Sequence, residues 1–133
     1  MAVMTGATDP QPVHVLIADD DAMVRFIARA VVERAGMTAD EASDGNDALA
    51  MLAGDRRFDI VVVDLNMPTL GGLDVIRAMR ANPATARVPI LVLTGGDSTE
   101  MEEALALGAT GVFPKPLAAE GLLRRIREVV AAA

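Results

Sequence analysis

Three short runs of consecutive apolar residues divide the chain: VHVLIA (13–18), IVVVD (60–64) and ILVLT (90–94). None alternates apolar with polar positions, and each is rich in β-branched side chains, so each predicts a strand buried on both faces. Met37–Ala42 and Gly111–Pro114 are weaker strand candidates. Between the runs, apolar residues recur every three or four positions. In Ala22–Ala35 the stripe is Met23, Phe26, Ile27, Ala30, Val31 and Arg34, and Gly36 supplies a left-handed stop. Similar spacing predicts helices over Asn46–Ala53, Gly72–Arg80, Ser98–Leu107 and Ala118–Val130. Asp97 or Ser98 can cap the fourth, and Glu100, Glu102 and Glu103 suit its positive end. Residues 1–12 carry two prolines and no sustained period, and read as a flexible leader.

Strand and helix thus alternate five times with short connections. That is the pattern of an α/β fold, a parallel sheet covered by helices on both faces. Pro114 and Pro116 place the fifth strand at an edge, because proline cannot donate to a central ladder. Composition narrows the picture. At 133 residues the chain fits one domain, and 52% apolar with 23% charged residues is a globular balance. The net charge of −7 opposes direct binding of nucleic acid or an anionic membrane surface. With no cysteine and the single His14, neither a disulfide framework nor a thiolate or multi-histidine metal site is available. Phe26, Phe58 and Phe113 are too few for a base-stacking platform. No apolar run approaches the roughly 18 residues of a spanning helix, so membrane insertion is not expected and a cytoplasmic location is.

The polar residues gather at the carboxyl ends of the strands. The first ends in Asp19-Asp20-Asp21, the third in Asp64, the fourth in Thr94 and the fifth in Lys115. Ligands of open doubly wound sheets bind at these ends. Crowded carboxylates repel one another unless a cation sits among them, and an all-oxygen set favours a hard ion such as magnesium. Metal, ammonium and hydroxyl together can steady the oxygens of a phosphoryl group, with Asp64 as the nucleophile. Singly, each residue has an ordinary reading: a helix cap at Asp21, a loop acid at Asp64, a turn at Thr94. Lys115 stands apart as the only lysine among twelve basic residues. The weight lies in their joint placement.

These residues resemble the receiver domain of two-component response regulators. The resemblance spans residues 13–130 through VLIADDDAMVR (15–25), VVVDLNMPTLGGL (61–73), LVLTGG (91–96) and GATGVFPKP (108–116). Asp20, Asp64, Thr94 and Lys115 follow one another at intervals of 44, 30 and 21 residues. The resemblance implies a flavodoxin-like doubly wound sheet of five parallel strands in the order 2-1-3-4-5 with five helices. It also implies a receiver domain over 13–131 with no output domain. Asp64 would be the phosphoacceptor. Asp20 would bind Mg2+ or Mn2+ directly, Asp19 largely through water, and Asn66 through its backbone carbonyl, with Asp64 completing the set. Lys115 and Thr94 would hold the phosphoryl group, and the Lys115–Pro116 bond would be cis. The phosphodonor would be a sensor histidine kinase or a histidine phosphotransfer protein, and a downstream protein would read the resulting surface. Such a domain catalyses only its own phosphorylation and dephosphorylation.

The chain departs from the family at two places. An aromatic residue usually stands three positions before the lysine, where this chain has Val112, and the neighbouring Phe113 faces the opposite way along a strand. Gly95 and Gly96 follow Thr94 where the family more often has alanine and a bulkier residue. The Val112 departure keeps a phosphate-independent interaction module in play, and a fragment of a longer regulator is a further alternative. An aspartate-nucleophile phosphatase would want a second acid where Asn66 stands. A flavin-binding domain would want a glycine- and hydroxyl-rich loop where the three aspartates stand.

Overall fold

The computed structural model describes residues 11–96 and 98–133. Five parallel strands, β1 (His14–Ala18), β2 (Thr38–Ala42), β3 (Ile60–Asp64), β4 (Ile90–Thr94) and β5 (Gly111–Pro114), lie in the order 2-1-3-4-5. Among the described residues they are joined by α1 (Ala22–Arg34), α2 (Gly45–Leu52), α3 (Gly72–Ala81), α4 (Ser98–Leu107) and α5 (Ala119–Ala131). Every bound falls within one residue of the sequence expectation, and β5 is an edge strand. None of these helices is long and apolar enough to cross a membrane. Residues 1–10 of the expected leader and the candidate cap Asp97 lie outside the described residues. Ser98 is itself the first helical residue of α4.

The central strands sort their side chains strictly by parity. Leu16, Ala18, Val61, Val63, Ile90 and Val92 face a layer made with α2, α3 and α4, chiefly Ala48, Val75, Ile76, Met79 and Ala104. Val15, Ile17, Ile60, Val62, Leu91 and Leu93 face the opposite layer, against Ala28 and Val32 of α1 and Leu122, Ile126 and Val129 of α5. Burial on both faces is what the unbroken apolar runs require. β2 is different. Its Ala39 and Ala42 are buried, while Glu41 receives Arg25 Nε at 3.0 Å and Arg29 Nη1 at 2.8 Å, covering this edge with charge.

The phase of α1 corrects the sequence expectation. Met23 and Phe26 of the expected stripe do not face the sheet: these two side chains are 62% and 68% exposed, and Ala28 and Val32 lie at the contact with Val31 packed beside them. Nearly every position of AMVRFIARAVV is apolar, so spacing alone does not fix the phase. The stop at Gly36 is as expected. Its φ is +86°, Met37 N–H bonds Val32 O and Gly36 N–H bonds Glu33 O, a paired closure of the last turn.

Candidate functional site

The carboxyl ends of β1, β3, β4 and β5 converge on one shallow crevice. Asp19 follows β1 directly and is fully buried. Its Oδ1 accepts the Asp21 N–H at 2.9 Å, and its carbonyl accepts Arg25 Nη1 at 2.8 Å. Asp20, next along, is exposed. Asp21 caps α1, its side chain accepting from Met23 N–H at 2.9 Å, so the third acid of the run serves the helix. Asp64 ends β3 and is buried, and the backbone N–H of Asn66 reaches its carboxylate. Thr94 ends β4, buried, with Oγ1 accepting the Gly96 N–H at 2.9 Å. Lys115 leaves β5 and places Nζ 2.9 Å from Asp19 Oδ2 and 3.2 Å from Asp64 Oδ1. The Lys115–Pro116 bond is cis.

The loop after Asp64 is held tightly. A Cβ on Gly72 would stand 2.4 Å from the Asp64 carbonyl oxygen, so only glycine lets α3 start against the end of β3. Thr69 has a φ of +69°, and Leu70 N–H bonds Pro68 O at 2.7 Å, a three-residue turn rare for a β-branched residue. Sequence reasoning missed Thr69 and Arg25. Arg25 lies within the VLIADDDAMVR motif and ties Glu41 of β2 to the Asp19 backbone. Nothing in the residue type announces Thr69, since threonine disfavours that conformation.

Ligand oxygens from Asp19, Asp20 and Asp64 all lie within 4.8 Å of one another. Burial, and after it the charge of Asp19, raises the Asp64 carboxyl above its ordinary value; Lys115 and the Asn66 N–H offset this only in part. Burial pulls Lys115 down, but Asp19 and Asp64 outweigh it and hold the ammonium above the usual lysine value. The one polar contact given for the buried Asp19 Oδ2 is the Lys115 ammonium, 2.9 Å away. Three carboxylates gathered against one ammonium suit a hard divalent cation, which takes oxygen donors. A separate cavity of about 550 Å³, lined by His14, Thr38, Arg56 and Asp59, lies at the other end of the strands and shares no residue with this cluster.

Residues 15–127 match the response regulator receiver domain family. The chain is 42% identical over 120 residues to the response regulator MprA of Mycolicibacterium vanbaalenii, covering 90% of this chain and 51% of that protein. With MprA of Mycobacterium tuberculosis it shares 42% over 119 residues, 89% of this chain and 50% of the relative. Among solved structures, the chemotaxis response regulator CheY4 of Vibrio cholerae superposes with a TM-score of 0.83 at 36% identity, covering 90% and 99% of the two chains. A response regulator of Chloroflexus aurantiacus gives 0.86 at 29%, covering 91% and 99%. The chain belongs to the receiver domains of two-component response regulators. It spans about half the length of the curated relatives it matches.

Proposed function

We propose that this receiver accepts a phosphoryl group on Asp64 from the phosphohistidine of a sensor histidine kinase or phosphotransfer protein, and signals through a changed surface. The observation that carries this reading is the Lys115 ammonium set between the buried Asp19 and Asp64 carboxylates at the mouth of the sheet. An Asp64 oxygen attacks phosphorus, the P–O bond forms, and the P–N bond breaks with its electron pair leaving on the imidazole. Lys115 then turns from the carboxylates to a phosphoryl oxygen, and the Thr94 hydroxyl donates to another. Asp19, Asp20, Asp64 and the Asn66 carbonyl would hold Mg2+ or Mn2+, which supplies charge neutralisation at the phosphoryl oxygens. Water later attacks phosphorus, the P–O bond to Asp64 breaks, and inorganic phosphate leaves.

Labelling from a radioactive phosphohistidine donor tests the reading. The wild type takes up label, and Asp64→Asn, which keeps the shape and loses the nucleophile, takes up none while its circular dichroism is unchanged. Label in the Asn variant at the wild-type level would sink the assignment.

A further inference from the structure

Gly96 marks a vacancy in the chain that another residue fills. A Cβ built on it would come within 1.8 Å of Glu100 Oε1 and 3.3 Å of Thr94 Oγ1. The Glu100 carboxylate, from the first turn of α4, thus occupies the room that a side chain on residue 96 would take, beside the hydroxyl assigned to the phosphoryl group. Around Asp64, three carboxylates face Lys115, a charge that the divalent cation assigned to them would balance. A phosphoryl group adds roughly −1.5 to −2 more. The helix that carries Glu100 is the least anchored in the fold, since Ala104 is its one buried residue. Before it, Gly95 meets only Lys115 Cβ, at 3.9 Å from where its own Cβ would stand.

We propose that Glu100 is an electrostatic gate on the crevice. Its carboxylate opposes a phosphoryl dianion on Asp64, and when the dianion arrives it is expelled together with the first turn of α4. The proposal rests on the phosphoacceptor reading of Asp64. Relief by moving Glu100 is cheaper than relief by moving Thr94, because β4 is buried on every residue and α4 is not. Glu100 is a positioning residue: it acts on the occupied state of the site through charge and through α4.

The test uses the whole chain with Mg2+ and beryllofluoride, a stable stand-in for the phosphoryl group. Glu100→Gln should bind it about threefold more tightly or better at low salt, the order that repulsion between like charges a few ångströms apart gives even at the dielectric of water. The gain should shrink toward 1 M salt, where screening acts within about 3 Å. Gly96→Ala, whose methyl needs the room of the carboxylate, should move affinity the same way. Glu103→Gln, which removes one charge from the next turn of α4, should change it little. Amide exchange over residues 98–103 should speed up on binding in the wild type and change less in Glu100→Gln. Unchanged affinity in Glu100→Gln, a gain equalled by Glu103→Gln, or looser binding in Gly96→Ala overturns the gate. Wild type that binds no beryllofluoride and takes no label on Asp64 refutes the phosphoacceptor reading itself, and the gate with it.

Discussion

α4 and α5 sit on opposite faces of the same edge of the sheet, and they are held there very differently. α5 buries Leu122, Ile126 and Val129 beside Phe113. α4 buries Ala104 alone, leaves Leu105 47% exposed, and faces the smaller Val112. The crevice inherits the contrast. Its first two carboxylates, Asp19 and Asp20, lead into α1, which packs with α5 over one shared core. Its hydroxyl, Thr94, leads into α4. Local opening free energy follows buried apolar contact. The half that carries the acidic cluster is therefore held firmly, and the half that carries Thr94 is held loosely.

The sharpest way to break this contrast is to cut equivalent side chains on the two helices. Ile126→Ala on α5 should cost about 2–5 kcal/mol, as deletion of a fully buried aliphatic side chain does. Leu105→Ala on α4 should stay within about 0.5 kcal/mol. Urea unfolding followed by circular dichroism measures both, since the chain has neither Trp nor Tyr. Equal losses at the two sites would remove the distinction.

Magnesium should stabilise the firm half by about 2.7 kcal/mol at a hundredfold excess over its dissociation constant. Asp20→Ala should lose most of that gain and, without metal, melt above the wild type, because one of three crowded carboxylates is gone. A variant that melts lower without metal and keeps its magnesium response contradicts the assignment of Asp20.

A smaller effect separates Asp64 by pH. Burial and then Asp19 raise its folded pKa above the ordinary 3.8. Its contribution to stability is therefore whole below about pH 3.8 and is lost as pH rises through the folded value. Asp64→Asn escapes that loss. In metal-free thermal melts the Asn variant should gain on the wild type as pH climbs above 3.8, then hold a constant lead. A lead that shrinks with rising pH would mean that the Lys115 ion pair outweighs burial.

How much of this the sequence disclosed depends on which forces set each feature. β1, β3 and β4 announce themselves because burial on both faces demands unbroken apolar runs. The acids, Thr94 and Lys115 are legible because they stand where those runs end. β2 was faint because its Glu41 is held by two arginines from α1, a long-range pairing that no local pattern encodes. The phase of α1 was hidden by a helix apolar nearly all round. Asp44, which caps α2 by accepting the Asp47 N–H at 2.7 Å, sits among turn residues that suggest several starts. Glu100 over Gly96 arises only when a loop folds back, so its two residues look unrelated in the chain.

The smallest expected effect is on signalling at Val112, and it bears most directly on which half moves. Receivers usually place an aromatic side chain there. Here Val112 packs on the α4 side while the aromatic Phe113 packs on the α5 side. Phe113 also lies 3.3 Å from where a Cβ on Gly121 would stand, so α5 pins it. Valine is short and stiff about χ1 and has no second position to swing into. Val112→Ala should therefore cost stability, about 0.8 kcal/mol for each buried methyl lost. It should leave the beryllofluoride-dependent exchange change over residues 94–107 as it is in the wild type. A change centred on Val112, with 94–107 unaltered on binding, would move the switch out of the α4 loop and into β5.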